Sequence, residues 1–137
     1  MCTFQRRRYF EDAAVVTLVR SHLLRVIEQR GAELTAYCFM PDHLHALTIG
    51  ESDDFNARRH TDIFRRQSSY FFRQTGHGRL WQDGYYDRVL REEEATPQVV
   101  RYILENPIRA GLCCEPAEYP FSGSSKYSLE ELLQGLV

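Results

Sequence analysis

The chain has 137 residues and a mass of 16.1 kDa, with 43% hydrophobic and 26% charged residues, the size and make-up of one globular domain. It has no run of about 18 apolar residues, and the start Met1-Cys2-Thr3-Phe4-Gln5-Arg6-Arg7-Arg8 lacks the apolar stretch of a secretory leader; a membrane span is excluded and a soluble, cytoplasmic protein is expected. Seventeen basic against nineteen acidic residues give a net charge of −2, which argues against a protein that coats nucleic acid along its whole surface. Only Lys126 among the basic residues is a lysine. Arginine is favoured where planar, bidentate contacts to phosphate or carboxylate matter, and a GC-rich genome produces the same bias. Cys2, Cys38, Cys113 and Cys114 include an adjacent pair and no C-x-x-C spacing, so they read as reduced thiols rather than a disulfide framework.

No repeat or linker divides the sequence, which reads as a single domain over 1–137 with 113–137 as a C-terminal extension. Cys2-Thr3-Phe4 is the remnant of a first strand. Asp12 is placed to cap a helix over about 12–30, in which Val15, Val16, Val19, Leu23, Val26 and Ile27 recur at helical spacing until Gly31 stops it. Residues 34–40 and 44–49 are short apolar runs joined through Pro41-Asp42, the pattern of a hairpin. Asp54 is expected to cap a second helix over 55–74. On a helical wheel His60, Ile63, Phe64, Gln67 and Phe71 share one side, and Arg58, Arg59, Arg65, Arg66, Ser69 and Arg73 the other. Residues 80–91 read as extended, with a bend at Asp83-Gly84. Thr96-Pro97 opens a third helix with the stripe Val99, Val100, Ile103 and Leu104, expected to end near Asn106 because Pro107 follows. The order strand, helix, two strands, helix, strand, helix predicts an α+β fold: a ferredoxin-like antiparallel sheet with helices packed on one face.

The richest segment is Phe39-Met40-Pro41-Asp42-His43-Leu44-His45. Residues two apart on a strand share a face, so His43 and His45 present two imidazoles side by side while Leu44 packs on the other face. Such a pair is half of a divalent-metal site, although an isolated His-x-His is more often structural. Tyr102 and Asn106 stand one helical turn apart on the third helix. A metal held by His43, His45 and the side-chain carbonyl of Asn106 would keep open positions and have Tyr102 beside it. A zinc site from Cys38, His43 and His45 would need a distant fourth ligand.

These residues resemble the REP-associated tyrosine transposases and the related single-tyrosine HUH transposases. The likeness is carried by Met40-Pro41-Asp42-His43-Leu44-His45, by Leu80-Trp81-Gln82 with Tyr85-Tyr86-Asp87-Arg88-Val89-Leu90-Arg91, by Tyr102-Ile103-Leu104-Glu105-Asn106-Pro107-Ile108-Arg109-Ala110-Gly111-Leu112, and by Tyr119-Pro120-Phe121-Ser122-Gly123-Ser124-Ser125. It spans nearly the whole chain. It implies an HUH endonuclease core that cleaves and joins single-stranded DNA with a divalent metal, Mg2+ or Mn2+, through a 5′-phosphotyrosine. His43, His45 and Asn106 would be the metal ligands and Tyr102 the nucleophile. Hairpin-forming repeat DNA is the implied partner, with a monomer and a homodimer both compatible. Two departures stand out: the chain starts almost at Cys2-Thr3-Phe4, where relatives usually have several more residues, and Asp42 stands where they often carry Asn or Glu.

Among the eight tyrosines Tyr86 is the rival nucleophile, and of the adjacent pair Tyr85 and Tyr86 one is expected to pack in the core. Arg58, Arg59, Arg65, Arg66 and Arg73, neutralised locally by Asp62 alone, are candidate DNA-phosphate contacts, as are Arg6, Arg7 and Arg8. Phe72 is a candidate for base stacking, against the plainer reading of core packing. Two further readings are a DNA-binding module on the same fold that no longer cuts, and a zinc-stabilised domain using the cysteines.

Overall fold

In the computed structural model, residues 1–88 and 96–135 are described. They form α1 (Ala13–Gln29), β1 (Ala32–Met40), β2 (His43–Gly50), α2 (Ala57–Gln74), α3 (Thr96–Leu104), α4 (Asn106–Arg109), β3 (Ser122–Gly123) and α5 (Leu129–Gln134). The sheet is antiparallel, in the order β2-β1-β3. This is the expected α+β class.

Local chemistry explains the boundaries. Ala14 N donates to the Asp12 side chain at 2.9 Å and caps α1, and Gly31, at φ +62°, takes the left-handed conformation that closes it. α2 begins two residues later than expected, because Asn56 rather than Asp54 accepts from Arg59 N, at 2.9 Å. Pro107 does not end the helical path outright. Glu105 N still donates to Arg101 O at 2.9 Å, and Pro107 enters the first turn of α4, where a missing N–H costs nothing.

β1 is buried along almost its whole length because both of its faces are covered. A register shift between Leu34 and Ala36 breaks the simple alternation of faces. As a result Leu34, Tyr37 and Phe39 pack with α1 and α2, while Ala36, Cys38 and Met40 pack with α3 and α5. The expectation of helices on one face therefore covers α1 and α2; α3 and α5 occupy the opposite face. The first core is aromatic, with Phe10 against Phe39 at 5.0 Å, and Trp81 against Phe10 and Phe64 at 5.7 and 5.8 Å. Each such fully buried ring contributes about 2–3 kcal/mol.

The edges of the sheet differ from the sequence reading. Residues 2–4 form single bridges, Cys2 to His43 and Thr3 to Trp81, then turn into a 3-10 helix over Phe4–Arg6. The expected first strand over Cys2-Thr3-Phe4 is thus reduced to two isolated bridges. The segment around Leu80-Trp81-Gln82 is tied to it by Phe4 N to Leu80 O at 2.8 Å and Gln82 N to Cys2 O at 3.0 Å; of the expected strand over 80–91, residues 89–91 lie outside the described residues. The third strand of the sheet comes instead from Ser122–Gly123 beside Tyr37 and Cys38. Ser125 N extends that edge by donating to Leu34 O at 2.9 Å, and α5 buries Leu132 against the α3 side. Ser122–Gly123 and α5 are thus built into the fold, and Leu132 is a core residue.

Candidate functional site

Pairing of Met40 with His43 and of Cys38 with His45 turns both histidines to the sheet face on which α3 lies, with Leu44 on the other face in the α1 core. The imidazoles stand 4.9 Å apart between ring centroids. From α3, Tyr102 comes within 6.5 Å of the His45 ring in the same chain, edge to face, and remains 57% exposed. The two histidines and the tyrosine, 57 residues further along the chain, therefore share one surface.

Burial, and then the nearby charge of His43, hold the His45 imidazole down to about 4, so at neutral pH it offers a lone pair. The Asp42 carboxyl is pulled upward by burial, but the hydrogen bond from His43 and the Arg6 guanidinium outweigh this and bring it below the usual carboxylate range. An ionised carboxylate only accepts, so His43 donates its Nδ1–H to Asp42 Oδ1, at 2.7 Å, and Nε2 is the ring nitrogen not engaged by Asp42. Asn106, at the start of α4, directs its Nδ2 to the carbonyls of Tyr102 and Ile103, at 3.4 Å each, so its Oδ1 is the atom left to face a ligand. Two imidazoles side by side on one face are half of a donor set for a divalent cation, and Asn106 lies four residues beyond Tyr102 on the helical path that faces them. Arg109 lies over the Tyr102 ring, its guanidinium carbon 4.1 Å from the centroid, and donates to the Tyr102 carbonyl.

The tyrosine rivals are placed elsewhere. Tyr86 is 86% exposed, and Tyr85 is half-buried against α2, donating to Asp62 Oδ1 at 3.2 Å with Arg65 over its ring at 5.0 Å. Neither enters the core, contrary to expectation. Tyr70 is also exposed, and Tyr119 is bonded to the Phe39 carbonyl.

The arginines divide. Arg58, Arg59 and Arg66 line one groove along α2 with Arg30, and Arg65, Arg66 and Arg73 line a second with Arg79 and Ser69. Arg65 is also a structural tie, donating to the Gln82 carbonyl. Both grooves lie on the α2 side of the sheet, away from the face that carries His43, His45 and Tyr102. Arg6, Arg7 and Arg8 do not act as one cluster: Arg6 pairs with Asp42 at 2.9 Å, Arg7 donates to the Tyr9 hydroxyl at 3.3 Å, and Arg8 pairs with Glu11. Phe72 is fully buried against Tyr9 and His77, which removes it as a base-stacking platform; Phe71 is the exposed ring of the pair.

The zinc reading finds no support in the geometry. Burial pushes the Cys38 thiol up to about 12, and among the described residues no three His, Cys, Asp or Glu side chains come together as a ligand set. Sequence reasoning passed over Asp42, Arg79 and Arg109. An acid directly before a candidate ligand histidine was a usable signal for the first; nothing in the spacing pointed to the others.

The β1-β2 hairpin thus carries a histidine pair faced by a tyrosine from α3. Residues 1–106 match the family model described as Transposase IS200 like, and the chain belongs to that family. It is similar to the REP-associated tyrosine transposase of Escherichia coli (strain K12), 26% identical over 106 residues and 77% of this chain. It is also similar to the putative REP-associated tyrosine transposase of Haemophilus influenzae (strain ATCC 51907 / DSM 11121 / KW20 / Rd), 28% identical over 114 residues and 75% of this chain. The chain spans 62% and 65% of the lengths of these two relatives. The solved structure of the REP-associated tyrosine transposase bound to a REP hairpin has the same fold, with a TM-score of 0.75 at 21% identity over 88% of this chain and 71% of that one. No helix of the described residues is long and apolar enough to cross a membrane.

Proposed function

We propose that the protein is a divalent-metal-dependent single-stranded DNA endonuclease and strand transferase that acts through Tyr102 on hairpin-forming repeat DNA. The observation that carries this reading is the placement of Tyr102 within 6.5 Å of the His45 ring, beside the His43 pair, in one chain. His43, His45 and Asn106 would hold Mg2+ or Mn2+. When bound, such a cation supplies Lewis-acid polarisation of a phosphate and favours the phenolate of a nucleophile whose ordinary pKa is about 10. The Tyr102 oxygen attacks phosphorus, the new O–P bond forms, and the P–O3′ bond breaks. The 3′ oxygen leaves and takes up a proton, and the 5′ phosphate stays on the tyrosine. Because the ester is retained, a second 3′-hydroxyl can reverse the step on another strand with no external energy source. The arginine grooves along α2 would hold the phosphates of the flanking DNA, and the cis placement of the site is compatible with action as a monomer.

The test is incubation with a hairpin-bearing single-stranded oligonucleotide and Mn2+ or Mg2+, followed by denaturing electrophoresis. A protein-DNA adduct is expected for the unaltered chain and none for Tyr102→Phe. An adduct that persists in Tyr102→Phe removes the nucleophile assignment and directs attention to Tyr86. Hairpin binding without an adduct under either metal would leave a DNA-binding module that does not cut.

A further inference from the structure

The turn between β1 and β2 carries a carboxylate whose two oxygens are both committed. Asp42 Oδ1 accepts from His43 Nδ1 at 2.7 Å, and Oδ2 accepts from Arg6 Nε at 2.9 Å. The Asp42 and His43 side chains are 23% and 22% exposed, so this hydrogen bond is largely sheltered from water. We propose that Asp42, itself held by Arg6, is a positioning residue that fixes the ring and tautomer of His43, with Nε2 kept as the metal-facing nitrogen. The inference rests on the reading of His43 as a metal ligand.

A neutral imidazole carries one N–H and one lone pair, and the hydrogen bond made by one nitrogen decides which role the other takes. An anionic acceptor on Nδ1 commits the proton there and raises the basicity of Nε2. The surrounding chain is shaped to keep that acceptor in place. Gln5 and Arg6 both have φ near +54°, in the left-handed region that residues with a side chain seldom adopt. This unfavourable turn is tied down at several points. Gln5 N donates to Gln82 Oε1 at 3.1 Å, and the Thr3 hydroxyl donates to Arg7 O at 2.6 Å. Thr3 N and its hydroxyl both approach the Asp42 carbonyl, at 2.9 and 3.0 Å. The N-terminal turn thus grips the backbone of Asp42 through Thr3 and its carboxylate through Arg6. A residue that merely completed a β-turn would need neither partner.

The tautomer can be read without any metal. In long-range proton-nitrogen spectra of the metal-free protein, with the His43 signals identified by their loss in His43→Ala, the Nδ1–H form is expected for the unaltered chain. A mixture of tautomers is expected for Asp42→Ala. Mn2+ affinity, measured by titration, is expected to fall about 10- to 100-fold in Asp42→Ala. A smaller loss is expected in Asp42→Asn, whose amide oxygen still accepts but carries no charge, and in Arg6→Gln. An Nε2–H tautomer in the unaltered chain overturns the proposal, as does an Asp42→Ala protein of unchanged circular dichroism that keeps both its tautomer and its Mn2+ affinity. Should Asp42→Ala not fold, Asp42→Asn and Arg6→Gln decide in its place: unaltered Mn2+ affinity in both overturns it. Mn2+ binding that is insensitive to His43→Ala overturns the metal-site reading instead, and the tautomer measurement then judges Asp42 separately.

Discussion

Tyr102 differs from the other tyrosines in what surrounds it. Its ring faces His45 on one side and carries the Arg109 guanidinium at 4.1 Å, while the same arginine bonds the Tyr102 carbonyl and approaches Glu105 at 3.6 Å. A cation over an aromatic face contributes about 0.5–2 kcal/mol, enough to bias one orientation of a half-exposed side chain. Arg109→Ala is therefore expected to slow adduct formation by about 10-fold without loss of fold, and Arg109→Lys to recover only part of it, because an ammonium lacks the planar stack. A burst assay with labelled oligonucleotide reads the rate, and an unchanged rate in Arg109→Ala would remove the positioning role. At this scale the sequence is legible where chemistry depends on short spacing. His43 and His45 are two apart on a strand, and Tyr102 and Asn106 are four apart near a helix end. Arg6 is not legible in that way, since the partner that claims it lies 36 residues away and is reached only through a left-handed turn.

Among the elements, α2 shows how a wheel can be right in outline and wrong in detail. Its buried positions are His60, Phe64, Ser68 and Phe72, each four residues from the last. The expected side held Ile63, Gln67 and Phe71 with His60 and Phe64, and left out Ser68 and Phe72. Ser68 is nevertheless buried, accepting the Trp81 indole N–H at 2.9 Å and donating to Phe64 O at 2.8 Å, so the core can take a hydroxyl there. His60 has no such partners. It is 3% exposed, packs at 5.5 Å from Phe55, and neither ring nitrogen has a hydrogen-bond partner among the described residues. Burial, with the charge of Arg30 added, holds its pKa below the ordinary value of 6.5. The unfolded chain then binds the proton more readily than the folded one. The stability at stake is intact above about pH 6.5 and declines as pH falls from there toward the folded value. Urea unfolding across pH 7.5 to 4.5 is expected to show that decline in the unaltered protein and a flatter profile in His60→Leu. A profile with the same slope in both would assign the acid sensitivity elsewhere. The hairpin and α1 were legible because capping and periodicity are local; β3 was not, because Ser122 and Gly123 pair with Cys38 and Tyr37 from a distant part of the chain.

For the molecule as a whole, the net charge of −2 averages over separated regions. Residues 58–73 hold five arginines against Asp62, and 115–131 hold four acids against Lys126. The fold keeps the α2 arginines on one side of the sheet and Tyr102, His43 and His45 on the other, with the segments 1–6 and 79–83 at the edge between them. On the proposed function, gripping DNA and cutting it are then tasks of different faces and should separate by mutation. Arg66 and Arg73 are exposed and share a groove with Arg79. Each phosphate contact contributes about 0.7 to 0.9 to the slope of log affinity against log salt. The double substitution Arg66→Ala with Arg73→Ala is expected to weaken hairpin binding about equally for every loop sequence and to lower that slope by about 1.4 to 1.8. Tyr102→Phe, on the opposite face, is expected to keep both affinity and slope while losing the adduct. Fluorescence anisotropy at a series of salt concentrations measures both quantities. A slope unmoved by the double substitution would mean that the α2 grooves do not carry the DNA, and that the strand reaches the histidine pair by another side of the molecule.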